Sequence, residues 1–129
     1  MKKIILFYFT LFAVSVFAQQ QTITYSVTPT SFEENQSITL TFNGSSINES
    51  TWGVTGNALY LWAWSFDSND LNIQDCPTNG TWTNSSETNR LTYVPGNDTY
   101  TISFVPQTFY SRTGIGRIGF LVKAKNATG

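Results

Sequence analysis

The sequence predicts an all-β fold: an antiparallel, immunoglobulin-like β-sandwich of about seven strands. Three observations carry that expectation. Apolar residues recur at every second position in five short segments, which is the period of a strand with one buried face. Thr, Val, Ile and aromatic residues fill those segments. Turn chemistry then separates them, as Asn43-Gly44-Ser45-Ser46, Pro95-Gly96-Asn97-Asp98 and Thr113-Gly114.

Residues 1–18 read as a secretory signal peptide. Lys2 and Lys3 supply the positive start, Ile4 to Phe17 the apolar stretch, and Val16-Phe17-Ala18 a cleavage site before Gln19. The apolar stretch falls short of the ~20 residues of a comfortable membrane span. No cysteine lies in or beside it, so a lipid anchor is not expected. The expected product is a secreted or cell-surface domain over 19–129, with no membrane insertion after cleavage.

In the domain, Ile23, Tyr25 and Val27 are expected to face inward from a strand over Thr22–Thr28. Ile38, Leu40 and Phe42 do so from Ser37–Asn43, and Leu91 and Tyr93 mark a short strand. Tyr100, Ile102 and Phe104 mark Thr99–Val105, and Ile118, Phe120, Val122 and Ala124 mark Arg117–Lys125. The last segment ends in Lys125-Asn126-Ala127-Thr128-Gly129, which looks like a strand entering a turn. The expectation is that a final edge strand is missing, that the domain is C-terminally truncated, and that further domains are linked to it in the full-length protein.

Without Lys2 and Lys3, five basic residues face eight acidic ones. That mildly acidic balance argues against nucleic acid, which needs clustered cations. Cys76 is the single cysteine, so no intrachain disulfide is available; it reads as incidental. There is no histidine, which removes His-based triads and the commonest zinc sites. The carboxylates lie in apparent loops rather than across a cleft, so no catalytic residue is assigned.

The run Ala58–Phe66 stands apart. Read as a strand, it places Tyr60, Trp62, Trp64 and Phe66 on one face and Leu59, Leu61, Ala63 and Ser65 on the other. Same-face neighbours then sit roughly 6–7 Å apart, near the spacing of sugar rings in a glycan. Every other strand has one hydroxyl-rich face, and a sandwich buries one face of each strand. Either the aromatics fill the core, or Leu59, Leu61 and Ala63 do and the aromatics form an outward platform. Trp52 and Trp82 fit either arrangement. Because a buried indole N–H needs a partner, some exposure is the better expectation. Trp62, Trp64 and Trp82, with Tyr60 and Arg90, are therefore the candidate carbohydrate-binding residues. Asn72, Gln74 and Asn79 add amides nearby.

Two loops bear on the rest of the chemistry. Asp67, Asn69, Asp70 and Asp75 are a dense run of oxygen donors of the kind calcium takes. They lack the Gly and the final Glu of an EF-hand loop, and a solvated loop with Asx-turns is the competing expectation. Gly114, Gly116 and Gly119 precede no helix and so form no phosphate loop; close packing or a bulge is expected at Gly119. Seven Asn-x-Ser/Thr sequons begin at Asn35, Asn43, Asn48, Asn79, Asn84, Asn97 and Asn126, as the Asn, Ser and Thr content alone would give.

Three stretches carry a resemblance: Leu59-Tyr60-Leu61-Trp62-Ala63-Trp64-Ser65, Pro77-Thr78-Asn79-Gly80-Thr81-Trp82, and Phe109 through Lys125. The chain resembles N-terminal immunoglobulin-like β-sandwich modules of secreted Bacteroidota (flavobacterial) proteins with type IX secretion tails. Those include α-amylase-like enzymes and starch-utilisation surface proteins similar to SusE and SusF. The resemblance implies a noncatalytic module for starch-like α-glucans, accessory to a glycoside hydrolase or glycan-uptake system. It supplies no ligand set. The alternative expectation is an immunoglobulin-like spacer or adhesion module that binds no sugar.

Overall fold

The computed structural model describes residues 20–127; the leader expected at residues 1–18 lies outside them. Among the described residues there are nine strands: β1 (Tyr25–Thr28), β2 (Ile38–Asn43), β3 (Leu59–Asp67), β4 (Gln74–Asp75), β5 (Gly80–Thr81), β6 (Asn84–Ser85), β7 (Thr92–Val94), β8 (Thr99–Phe104) and β9 (Ile115–Ala124). One helical turn, α1 (Pro106–Phe109), links β8 to β9. Among the described residues no helix is long and apolar enough to cross a membrane.

The strands form antiparallel sheets in the orders β1-β2-β8-β7 and β4-β3-β9, with β5-β6 as a separate hairpin. The first order places β1, β2, β8 and β7 as strands A, B, E and D of the immunoglobulin arrangement; β3 and β9 take positions C and F. Alternation explains why the sheets close on each other. Ile38, Leu40, Phe42, Tyr100 and Phe104 from one sheet meet Leu59, Leu61, Ala63, Val122 and Ala124 from the other in a single apolar cluster. Trp52, Ile47, Leu91 and Tyr110 complete it from the connections.

The strands expected around Ile38, Thr99 and Arg117 appear within two residues of their expected bounds. β1 is a correction. It begins only at Tyr25, and Tyr25 is 59 % exposed rather than inward. The reason is its edge position: its ring leans on Phe42 and meets Phe120 edge-on at 5.3 Å, with open space beyond. β3 and β9 slip in register between Phe66 and Asp67, leaving Gly116 without a partner. A Cβ at Gly116 would overlap the Asp67 carbonyl and Ser68 backbone, so glycine permits this bulge.

Candidate functional site

β3 resolves its ambiguity toward the outward platform. Leu59, Leu61 and Ala63 are fully buried in the core, and Ser65 lies with them. Tyr60, Trp62, Trp64 and Phe66 therefore project from the outer face of the β4-β3-β9 sheet. Across the ladder they stand opposite Lys123, Leu121, Gly119 and Arg117 of β9.

The four aromatics meet four different fates. Tyr60 is 2 % exposed, which corrects its assignment as a stacking residue. The segment after the β5-β6 hairpin and the residue just past β9 cover it: the Arg90 guanidinium lies 6.0 Å from its ring centre and Lys125 Nζ 5.1 Å. Arg90 and Lys125 both pair with Glu87, at 3.3 and 3.1 Å. The Tyr60 hydroxyl and Lys125 together pull the Glu87 carboxyl down to about 2, and burial chiefly raises the Tyr60 phenol. Arg90 also donates to Gly56 O at 3.2 Å. Arg90 thus has two protein partners in place rather than a free fork.

Trp62 is half-buried and Trp82 stands over it edge-on, centroids 5.1 Å apart. Trp82 is 44 % exposed, and Lys123 Nζ lies 4.9 Å from its ring centre. Trp64 is half-buried because its indole rests on Gly119, where a Cβ would overlap the ring. That is the close packing expected at Gly119. Phe66 is capped by the Arg117 guanidinium at 4.0 Å. The open aromatic surface is accordingly Trp82 with the free parts of Trp62 and Trp64, bordered by Leu121.

Lys123 was not singled out by the sequence, although its parity places it on this face. It is fully buried, donating to Ser85 Oγ and Ala124 O at 2.8 Å and to Asn126 O at 3.0 Å. Burial, with Lys125 nearby, lowers its ammonium from the ordinary 10.5 to about 8. No sequence pattern distinguishes it from a solvated lysine.

Asn79 was expected among the sugar-facing amides and is instead buried, at the far edge of β3. Its Oδ1 accepts from Ala63 N at 3.0 Å and its Nδ2 donates to Ala63 O at 2.9 Å. Asn89 extends the pattern, donating to Leu61 O and to Asn79 Oδ1. The two amides act as a surrogate strand along β3, and burial removes the Asn79 sequon from the surface.

The acidic loop holds its own backbone. Asp67 accepts from Asn69 N and Leu71 N at 2.9 Å and from the Asn72 side chain, and these bonds, that to Leu71 foremost, lower its carboxyl. Asp70 forms a two-point pair with Arg117, at 2.6 and 3.1 Å. Asn69 is exposed in the turn, and Asp75 sits on β4 opposite Trp64. The four proposed calcium donors do not converge, and among the described residues no group of three or more His, Cys, Asp or Glu side chains could hold an ion. This is the Asx-turn arrangement. Cys76 is buried, its thiol donating to Phe109 O at 3.1 Å.

Comparison with known proteins places nothing beside this chain: no family model, no curated protein and no solved structure matches it.

Proposed function

We propose that the chain is a noncatalytic carbohydrate-binding module, exported and accessory to a glycan-degrading or glycan-uptake system, with starch-like α-glucans as its ligands. One observation carries the reading: Trp82 stands 44 % exposed beside half-buried Trp62 and Trp64 on one face. Aromatic faces of this kind stack on the C–H faces of pyranose rings. A module that holds polysaccharide raises the local substrate concentration for whatever is linked to it. The resemblance of three segments to Bacteroidota starch-associated modules supports the α-glucan choice.

A second reading, an immunoglobulin-like spacer or adhesion module, is favoured by the burial of Tyr60 and the packing of Trp64 on Gly119. Both engage the aromatic ladder internally. Affinity electrophoresis through soluble starch, glycogen and xylan separates the two. The binding reading expects retardation in starch that Trp82→Ala removes while the circular dichroism spectrum stays unchanged. Migration unaffected by every glycan refutes it.

A further inference from the structure

We propose that Lys123 is a positioning residue of the aromatic face, its buried ammonium holding the β5-β6 hairpin so that Trp82 stands edge-on over Trp62. Loss of its proton then loosens Trp82 and weakens the hold on sugar. The inference rests on the carbohydrate-binding reading and adds to it what keeps the site assembled.

Trp82 lies where its own strand does little to fix it. Thr81 and Asn84 are the last paired residues of the hairpin, so Trp82 and Thr83 form its two-residue turn. The ring is 44 % exposed. Trp62 of β3 meets it at 5.1 Å, and Lys123 Nζ of β9 lies 4.9 Å from its centre. Lys123 and Trp62 are near neighbours on the outer face, because Lys123 stands opposite Tyr60 and the next outward pair is Leu121 with Trp62.

A lysine ammonium has three donors, and all three are used. Ser85 Oγ and Ala124 O accept at 2.8 Å and Asn126 O at 3.0 Å. Ser85 belongs to the hairpin, and the other two acceptors lie at the end of β9 and just past it. One charged group therefore clips the hairpin to the sheet and rests against the ring at its tip. A cation attracts an indole through the ring quadrupole, the more so when desolvated, and Lys123 is 0 % exposed. A neutral amine keeps two donors, so it gives up one of these bonds together with that attraction. The hairpin itself stays attached, since Ser85 N donates to Lys125 O and Lys125 Nζ to Ser85 O.

The groups around Lys123 leave the titration to it. The hairpin residues 80–85 carry no ionisable side chain. From β3 it faces Tyr60, whose phenol is raised chiefly by burial. Lys125 repels it from beyond the end of β9. Glu87, in the segment after the hairpin, is held near 2 and pairs with Arg90 and Lys125. Among the described residues no carboxylate pairs with Lys123. Burial first, and Lys125 second, bring its ammonium down to about 8.

The test follows circular dichroism and starch affinity of the protein between pH 6.5 and 9.5. The Trp62–Trp82 pair gives an exciton couplet, identified as the signal that Trp82→Ala removes. That couplet should fade through about pH 8. Retardation in soluble starch should fall at least about threefold over the same range. Lys123→Met should show a weak couplet and weak retardation at both ends of it. A lysine with a structural role only predicts neither loss, because the fold gains stability as a desolvated ammonium discharges. A couplet unchanged with pH, or intact in Lys123→Met, overturns the inference even where starch still retards the protein. Should Lys123→Met fail to fold, the pH series of the unsubstituted protein decides alone. A couplet that titrates as expected, without retardation in starch, glycogen or xylan, upholds Lys123 as the group that holds Trp82 and refutes only the carbohydrate reading.

Discussion

The Trp64 indole lies against Gly119 of the neighbouring strand, at the cross-strand position where any side chain would occupy the ring's place. The contact locks the middle of the aromatic ladder to β9, and it makes glycine the residue that sets how far Trp64 is withdrawn from solvent.

Gly119→Ala should therefore expel the indole. The expected cost is about 1–3 kcal/mol, the range for overpacking a well-filled site. Urea unfolding followed by tryptophan fluorescence checks it, with a red-shifted native spectrum reporting the freed ring. An unchanged midpoint and spectrum would show that Trp64 has room to move.

Asn79→Ala removes both hydrogen bonds to Ala63 and one partner of Asn89. Each buried group left unpaired costs about 1–3 kcal/mol, so this substitution should be the most damaging polar-to-alanine change in the domain. Asn84→Ala, on the exposed end of the hairpin, is the comparison and should be near neutral in the same denaturation series.

Lys123 makes stability depend on pH in a defined direction. Unfolded, the amine holds its proton up to about 10.5; folded, it releases it near 8. Between those values the unfolded chain binds more protons, so stability rises with pH, and below about 8 the full cost of the buried charge is felt. Lys123→Met should abolish the rise measured between pH 7.5 and 9.5. An identical pH slope in both proteins would show that the ammonium is not desolvated.

Much of the fold was legible. Ile38–Phe42, Tyr100–Phe104 and Ile118–Ala124 alternate with period 2, and burial of one face enforces that pattern, so those strands could be read directly. The two-residue strands β4, β5 and β6 could not, because Gln74-Asp75, Gly80-Thr81 and Asn84-Ser85 carry no apolar rhythm. Tyr25 deceived for a related reason. Its parity is right, but it sits on an edge strand whose inner flank is open. The site was legible as a face and not as a surface: alternation placed Tyr60, Trp62 and Trp64 together and said nothing of what lies over them.

By itself, the sequence determined that Ala58–Phe66 is a strand apolar on both faces, one of which a two-layer sandwich must leave outside. That follows from local covalent geometry, which alternates side chains whatever the fold. Only the tertiary structure decided which face that was and how much of it stays open. The hairpin carrying Trp82, the cations Arg90 and Lys125 over Tyr60, and Gly119 beneath Trp64 all come from positions distant in the chain. Their contacts are set by packing, which no local period encodes.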